Sequence, residues 1–282
     1  MRKKSRTPVS DPTLHGRKEG SLALVLEKET QVFTSYTETF YSGDGNLDKH
    51  LKLKYAHSLR VLRNAREIAG EEDAFRDNPQ ARRALLLSAL YHDLGRFEQL
   101  RRYRTFRDAD SVNHGLLGAR LLADPRFLVG ENADGRKLTR AAVLLHNRLA
   151  LPPRLPSPLD VVSKALRDAD KIDIIRVLQE EFRPGRVPDK TIVLDLPDDP
   201  GKYSPKALEE LLAGRTVLYS SLGSVNDFRL LLCSWVSGLE FSASRRLLAR
   251  DGRLETVMES LPRNADMDRA RSYVRSRLEE GK

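Results

Sequence analysis

The chain has 282 residues, 40% hydrophobic and 32% charged, with a net charge of +9. That is enough for one large domain or a domain with an added lobe. An aromatic content of 6% with no visible RNA or DNA module argues against a nucleic-acid partner. No run approaches the roughly 18 apolar residues of a membrane span. The basic start, Met1-Arg2-Lys3-Lys4-Ser5-Arg6, leads into no apolar segment of the secretory type. The single cysteine, Cys233, excludes an intramolecular disulfide. It suits a cytoplasmic setting and, in Leu232-Cys233-Ser234-Trp235, reads as a small apolar residue.

The positive charge is concentrated. Residues 1–19 hold six Lys or Arg against two acids, and residues 95–107 hold five Arg against one Glu, each a net +4. The second cluster either attracts a phosphorylated substrate or is a solvated basic loop.

Residues 1–20 are rich in Ser, Pro, Gly and basic residues and read as a disordered tail. Leu22 to Tyr41 follows a helical spacing, which Ser42-Gly43-Asp44-Gly45 breaks. A second helix is expected from Leu47 to Ala69, with His57 beside its apolar stripe. Glu71 to Pro79 reads as a polar connection. Gln80 to Asp93 is the central helix, because Leu85-Leu86-Leu87-Ser88-Ala89-Leu90 runs straight into His92-Asp93. Gly95 then lets the chain turn. Phe97 to Asp110 reads as an arginine-rich loop, with Ser111 as N-cap of a helix ending near Asp124-Pro125. On that helix Gly118 would admit another backbone. Lys137 to Leu149 and Val161 to Phe182 complete a helical domain over residues 21–183. Residues 184–282 are expected to be an insertion loop, with a short strand at Thr191-Ile192-Val193-Leu194 as one option, followed by helices packed on the same domain. Strand signals are scarce, so the fold class is all-α.

Against this frame stands an ordered series: His57, His92-Asp93, His114, His146 and Asp170. It takes four of the six histidines, leaving His15 in the tail and His50 at a polar helix start. One histidine on an apolar helix is usually a satisfied core residue. Four, with two aspartates, on separate helices indicate a site built between bundle helices. Imidazole and carboxylate together suit a divalent transition metal (Fe, Mn, Ni, Co or Zn), and the lack of thiolates argues against a structural zinc cluster.

Lys54-Tyr55-Ala56-His57, Tyr91-His92-Asp93-Leu94-Gly95-Arg96 and Asp168-Ala169-Asp170-Lys171 together resemble the HD-domain metal-dependent phosphohydrolases over roughly residues 30–180. The motifs around His114 and His146 resemble the subfamilies with two metals, among them diadenosine polyphosphate hydrolases and HD-GYP cyclic-dinucleotide phosphodiesterases. The Gly-Tyr-Pro triplet of the latter is absent, and Arg96-Phe97 stands where (p)ppGpp hydrolases carry Glu-Asp.

The resemblance implies a helical bundle in which His57, His92, Asp93 and Asp170 hold one metal. Asp93 would bridge to a second, held by His114 and His146. A metal-activated hydroxide would then cleave a phosphate ester or anhydride of a nucleotide or dinucleotide. Asp93, Arg96 and Lys171 are the implied catalytic residues, with Arg96, Lys171 and Asn147 contacting the phosphorylated small molecule. Lys171 is equally readable as a surface cation near Asp168 or Asp173. A non-catalytic metal- or nucleotide-binding sensor stays open as the alternative, and a homo-oligomer is compatible with the sequence.

Overall fold

The computed structural model of the protein describes residues 13–183, 185–188 and 193–280, with side chains from Leu26 onward. Thirteen α-helices run through them. They are α1 (Thr13–Glu38), α2 (Gly45–Glu71), α3 (Asp73–Arg76), α4 (Pro79–Tyr91), α5 (Leu94–Tyr103), α6 (His114–Leu121), α7 (Ala133–Leu145), α8 (Leu159–Leu178), α9 (Pro205–Leu212), α10 (Val225–Ser234), α11 (Ser242–Arg250), α12 (Arg253–Glu259) and α13 (Ala265–Glu279). No strand occurs among the described residues, so the chain is all-α. Thr191 and Ile192 of the possible strand, and residues 1–12 of the expected tail, lie outside them; α1 begins within the remainder of that tail.

The bundle is built on α4. Pro79 suits a first helical turn, and the Asn78 side chain caps the Ala81 amide at 2.9 Å. From Ala84 to Tyr91 every residue is buried, which fits a helix apolar on all sides. Helices α2, α7 and α8 pack around it. Each fully buried leucine here, such as Leu85, Leu87 and Leu90, contributes about 2 kcal/mol before the entropy of ordering it is counted. An aromatic cluster fastens α1 to this core. Phe33 stacks on Tyr55 at 5.6 Å and meets Tyr91 and Phe97 edge-on, each at 5.9 Å.

Three local readings are corrected. The arginine-rich stretch is a helix as far as Tyr103, because Glu98 pairs with Arg101 at i+3 and Arg102 at i+4 while Phe97 and Leu100 turn into the core. It ends at Arg104, whose left-handed φ of 56° and amide N–H donated to Leu100 O close the last turn. The cap of α6 is Asn113 rather than Ser111: its side chain accepts from the Leu116 amide at 2.8 Å.

Gly95 is not a turn glycine. It lies in α5, and a Cβ there would come within 2.3 Å of His114 O and 2.8 Å of Gly118 N. Gly118 in turn faces Gly95 N and His92 O. The two glycines let α5 and α6 meet backbone to backbone.

Beyond residue 193 the centre is α10, buried along its whole length, with α9, α12 and α13 against it. Asn226 of α10 reaches the carbonyls of Asp199, Pro200 and Lys202, which ties down the preceding loop. Cys233 is fully buried there, and burial pushes its thiol up to about 12, so it packs as an apolar group. Helix α11 lies on α2 and α8. Glu72 accepts from Ser242 Oγ and the Ala243 amide, and Asp168 accepts from the amides of Glu240 and Phe241.

Gly95→Ala is expected to cost about 3 kcal/mol, since backbone cannot retreat from the new methyl. Gly70→Ala, on the exposed end of α2 with nothing within 4 Å, is expected to stabilise by about 1 kcal/mol. Denaturant unfolding of the two variants checks both signs.

Candidate metal centre

Most of the singled-out side chains sit where helices start or stop. His57 is within α2 and Asp170 within α8; His92 and His146 directly follow α4 and α7, Asp93 directly precedes α5, and His114 opens α6. Asp93 occupies the N-cap position of α5 yet makes no capping bond, so its carboxylate turns into the cluster, beside the positive end of the helix.

The six donors form two sets. In the first, His57 Nε2 and His92 Nε2 are 3.1 Å apart, and Asp170 Oδ1 lies 3.1 and 3.6 Å from them. In the second, His114 Nε2 and His146 Nε2 are 3.1 Å apart, with Asp93 Oδ1 at 3.5 and 3.9 Å. Asp93 Oδ2 faces the first set, 3.7 Å from both His57 Nε2 and His92 Nε2. Within each set all donor atoms lie within 4.8 Å of one another. Two nitrogens each about 2.1 Å from one ion stand roughly 3 to 3.4 Å apart, so both imidazole pairs have the spacing of a shared cation.

Every imidazole is tethered through its other nitrogen. His92 Nδ1 donates to Ala89 O at 2.9 Å, and His146 Nδ1 to Val143 O at 2.7 Å. His57 Nδ1 donates to Asp173 at 2.7 Å, and His114 Nδ1 to Asp108 at 2.8 Å. Placing the proton on Nδ1 leaves each Nε2 lone pair aimed at its neighbour, which is repulsive unless something positive lies between. Asp170 Oδ1 is buried without a hydrogen-bond partner, and Asp170 has no Lys or Arg partner among the described residues. A divalent cation meets both needs; the residues fit one.

The electrostatics agree. Burial opposes the charge on Asp93, but Lys54, His92, Arg96 and His114 outweigh it and hold the carboxyl well below the usual range. Burial opposes the charge on Asp170 as well, yet His57 and His92 keep it ionised. Burial, with His114 and His92, drives His146 down to about 3, and burial lowers His92 too, so both stay neutral as ligands must. His57 is the exception: burial lowers its pKa, but hydrogen bonding to Asp170 and Asp173 outweighs this and raises it, so the ring attracts a positive charge that a bound cation would supply in place of a proton.

The mouth is where burial is incomplete, at Lys54, Arg96, Asp108 and Asp170. Arg96 stands there half committed. Its Nη1 donates to Gln99 at 2.9 Å, to Asp108 at 3.1 Å and to the Phe106 carbonyl, and its Nε is 3.5 Å from Asp93 Oδ1. Its Nη2 has no partner among the described residues. Asn147 donates to Asp108 at 3.0 Å, which sets it beside His114 in the cluster's frame, and its Oδ1 is buried without a partner. Lys171 is not brought into the cluster. It donates to Gly238 O at 3.1 Å, on the side of α8 that holds the turn before α11.

Sequence reasoning missed the outer ring. Asp173, one turn beyond Asp170, is held by Arg60 through two bonds of 2.7 and 3.0 Å; the i+3 spacing was a usable signal. Lys54, three residues before His57, carried the same signal. Asp108 gathers Arg96, Gln99, His114 and Asn147, and no periodicity announces it because it sits in a short 3-10 turn.

Residues 55–175 match the family model of the HD domain. Comparisons with curated proteins and with solved structures found no match.

Asp173→Asn is expected to weaken divalent-cation binding about tenfold to a hundredfold, read by Mn2+ titration, because the tether that orients His57 is neutralised. Lys171→Met is expected to lose about 2 kcal/mol of stability, read by denaturant unfolding, while its metal content stays unchanged.

Proposed function

From a chain that carries an HD domain across residues 55–175, we propose a metal-dependent phosphohydrolase with two ions side by side, acting on a nucleotide or dinucleotide. One observation carries the reading: the two oxygens of Asp93 face different imidazole pairs, Oδ2 toward His57 and His92 and Oδ1 toward His114 and His146. A single carboxylate divided between two donor sets is suited to bridging.

Bound there, two divalent ions would supply an activated water and positive charge against the phosphoryl oxygens. The chain's own residues do the rest. Asp108 and Asp173 orient the His114 and His57 rings with Nδ1 outward, so that the inward Nε2 of each is the atom that would meet a cation. Arg96 is held through Nη1 by Phe106 O, Gln99 and Asp108, which leaves Nη2 without a partner among the described residues and able to donate to a phosphate oxygen. Burial of the imidazoles keeps bulk water from competing for the donors. The nucleotide class is supported by the likeness of the His114 and His146 motifs to the two-metal subfamilies.

Metal analysis of protein purified without oxygen, followed by a panel of nucleotides, dinucleotides and generic phosphate esters with Mn2+ or Fe2+, tests the reading. Turnover of a nucleotide is expected; bound metal with no turnover of any ester would favour the sensor. Asp93→Asn is expected to abolish hydrolysis and lower the content of both ions. His114→Ala is expected to lose one ion of the pair, and an unchanged stoichiometry would point to a single-ion site.

A further inference from the structure

Lys54 lies one helical turn before His57 on α2, and its ammonium sits 2.8 Å from Asp93 Oδ2. That oxygen is the one facing the His57 and His92 pair. A divalent ion between those imidazoles and an ammonium on the same oxygen are like charges at close range in a mostly buried place, and they repel strongly. One of Asp93's two cationic neighbours must therefore give way when ions enter. Arg96, on the Oδ1 side, is fixed by Gln99, Asp108 and the Phe106 carbonyl. Lys54 has no second hydrogen bond, a flexible four-carbon stem and a side chain 22% exposed against 4% for Asp93. Its ammonium already lies 5.5 Å from the Phe106 ring centroid while it holds Asp93, and the Arg96 guanidinium lies 5.8 Å from the same ring, so an outward move can keep the aromatic contact.

We infer that Lys54 is an exchangeable counter-ion with two successive partners. Before ions bind it neutralises Asp93. Once both donor sets are filled, its ammonium moves outward along Phe106 and donates to a phosphate oxygen of the substrate opposite Arg96. The second half rests on the phosphohydrolase reading; the first rests only on cation binding.

Calorimetry with Mn2+ on metal-stripped protein, and with inorganic phosphate on Mn2+-loaded protein, separates the two halves. K54Q is expected to bind Mn2+ about tenfold tighter than the unaltered chain, because no ammonium has to leave Asp93, and to hold phosphate about tenfold more weakly. K54R, which keeps the charge, is expected to stay near the unaltered chain in Mn2+ affinity, and circular dichroism of both variants guards against misfolding. Equal or weaker Mn2+ binding by well-folded K54Q overturns the counter-ion role, and undiminished phosphate binding overturns the second partner. If the loaded, unaltered protein takes up no phosphate, the phosphohydrolase reading and the phosphate partner fall together, while the Mn2+ comparison still decides the first role.

Discussion

Four imidazoles turned toward one another in a buried space are held there by their outer nitrogens. Ala89 O and Val143 O anchor two of them, Asp173 and Asp108 the other two. Each tether is one hydrogen bond contributing about 1 kcal/mol, yet together they decide which nitrogen carries the proton in every ring. The inward lone pairs and the Asp93 and Asp170 carboxylates are then an arrangement that only positive charge can satisfy. The surrounding helices serve this constraint: α4 delivers His92 and Asp93 from the driest part of the core, and α2, α6, α7 and α8 bring the rest to its end.

Close backbone contact sets the spacing of the two donor sets. Gly95 follows Asp93 by two residues, and the atoms nearest its missing side chain belong to His114 and Gly118. The distance from the Asp93 carboxylate to the second histidine pair is thus fixed by main chain rather than by adjustable side chains. Gly115 extends the contact to α7, where a Cβ would meet Asn147 Oδ1 at 2.8 Å and Val143 O at 3.1 Å. His114 and His146 are thereby brought to one place by helices with almost no side chain between them.

Much of this was legible in the sequence, for a physical reason. His57, His92, Asp93, His114, His146 and Asp170 are costly in apolar helices, so their presence there demands a partner. What the sequence obscured follows from geometry. The five arginines over 95–107 read as a solvated loop, yet Glu98 pairs with Arg101 and Arg102 at helical spacing, which makes the stretch helical as far as Tyr103. The motif Asp168-Ala169-Asp170-Lys171 sets Lys171 beside Asp170 in sequence, but neighbours on a helix point about 100° apart. Lys171 shares its side with Asp168, three residues before it, and both hold the turn at residues 238–241. Asp108 and Phe106 act from a non-repeating segment, where no period exists to read.

The bond between His57 and Asp173 joins residues 116 positions apart. The second donor set, by contrast, is drawn from Asp93, His114 and His146, a much shorter length of chain. As the polypeptide leaves the ribosome, that half of the centre has all its parts on hand before α8 has been made. The half built on His57, His92 and Asp170 must wait for α8 to return to α2, which is the slower, less local closure. The centre is in this sense assembled in two instalments, and Asp93 belongs to the earlier one while it waits for the later.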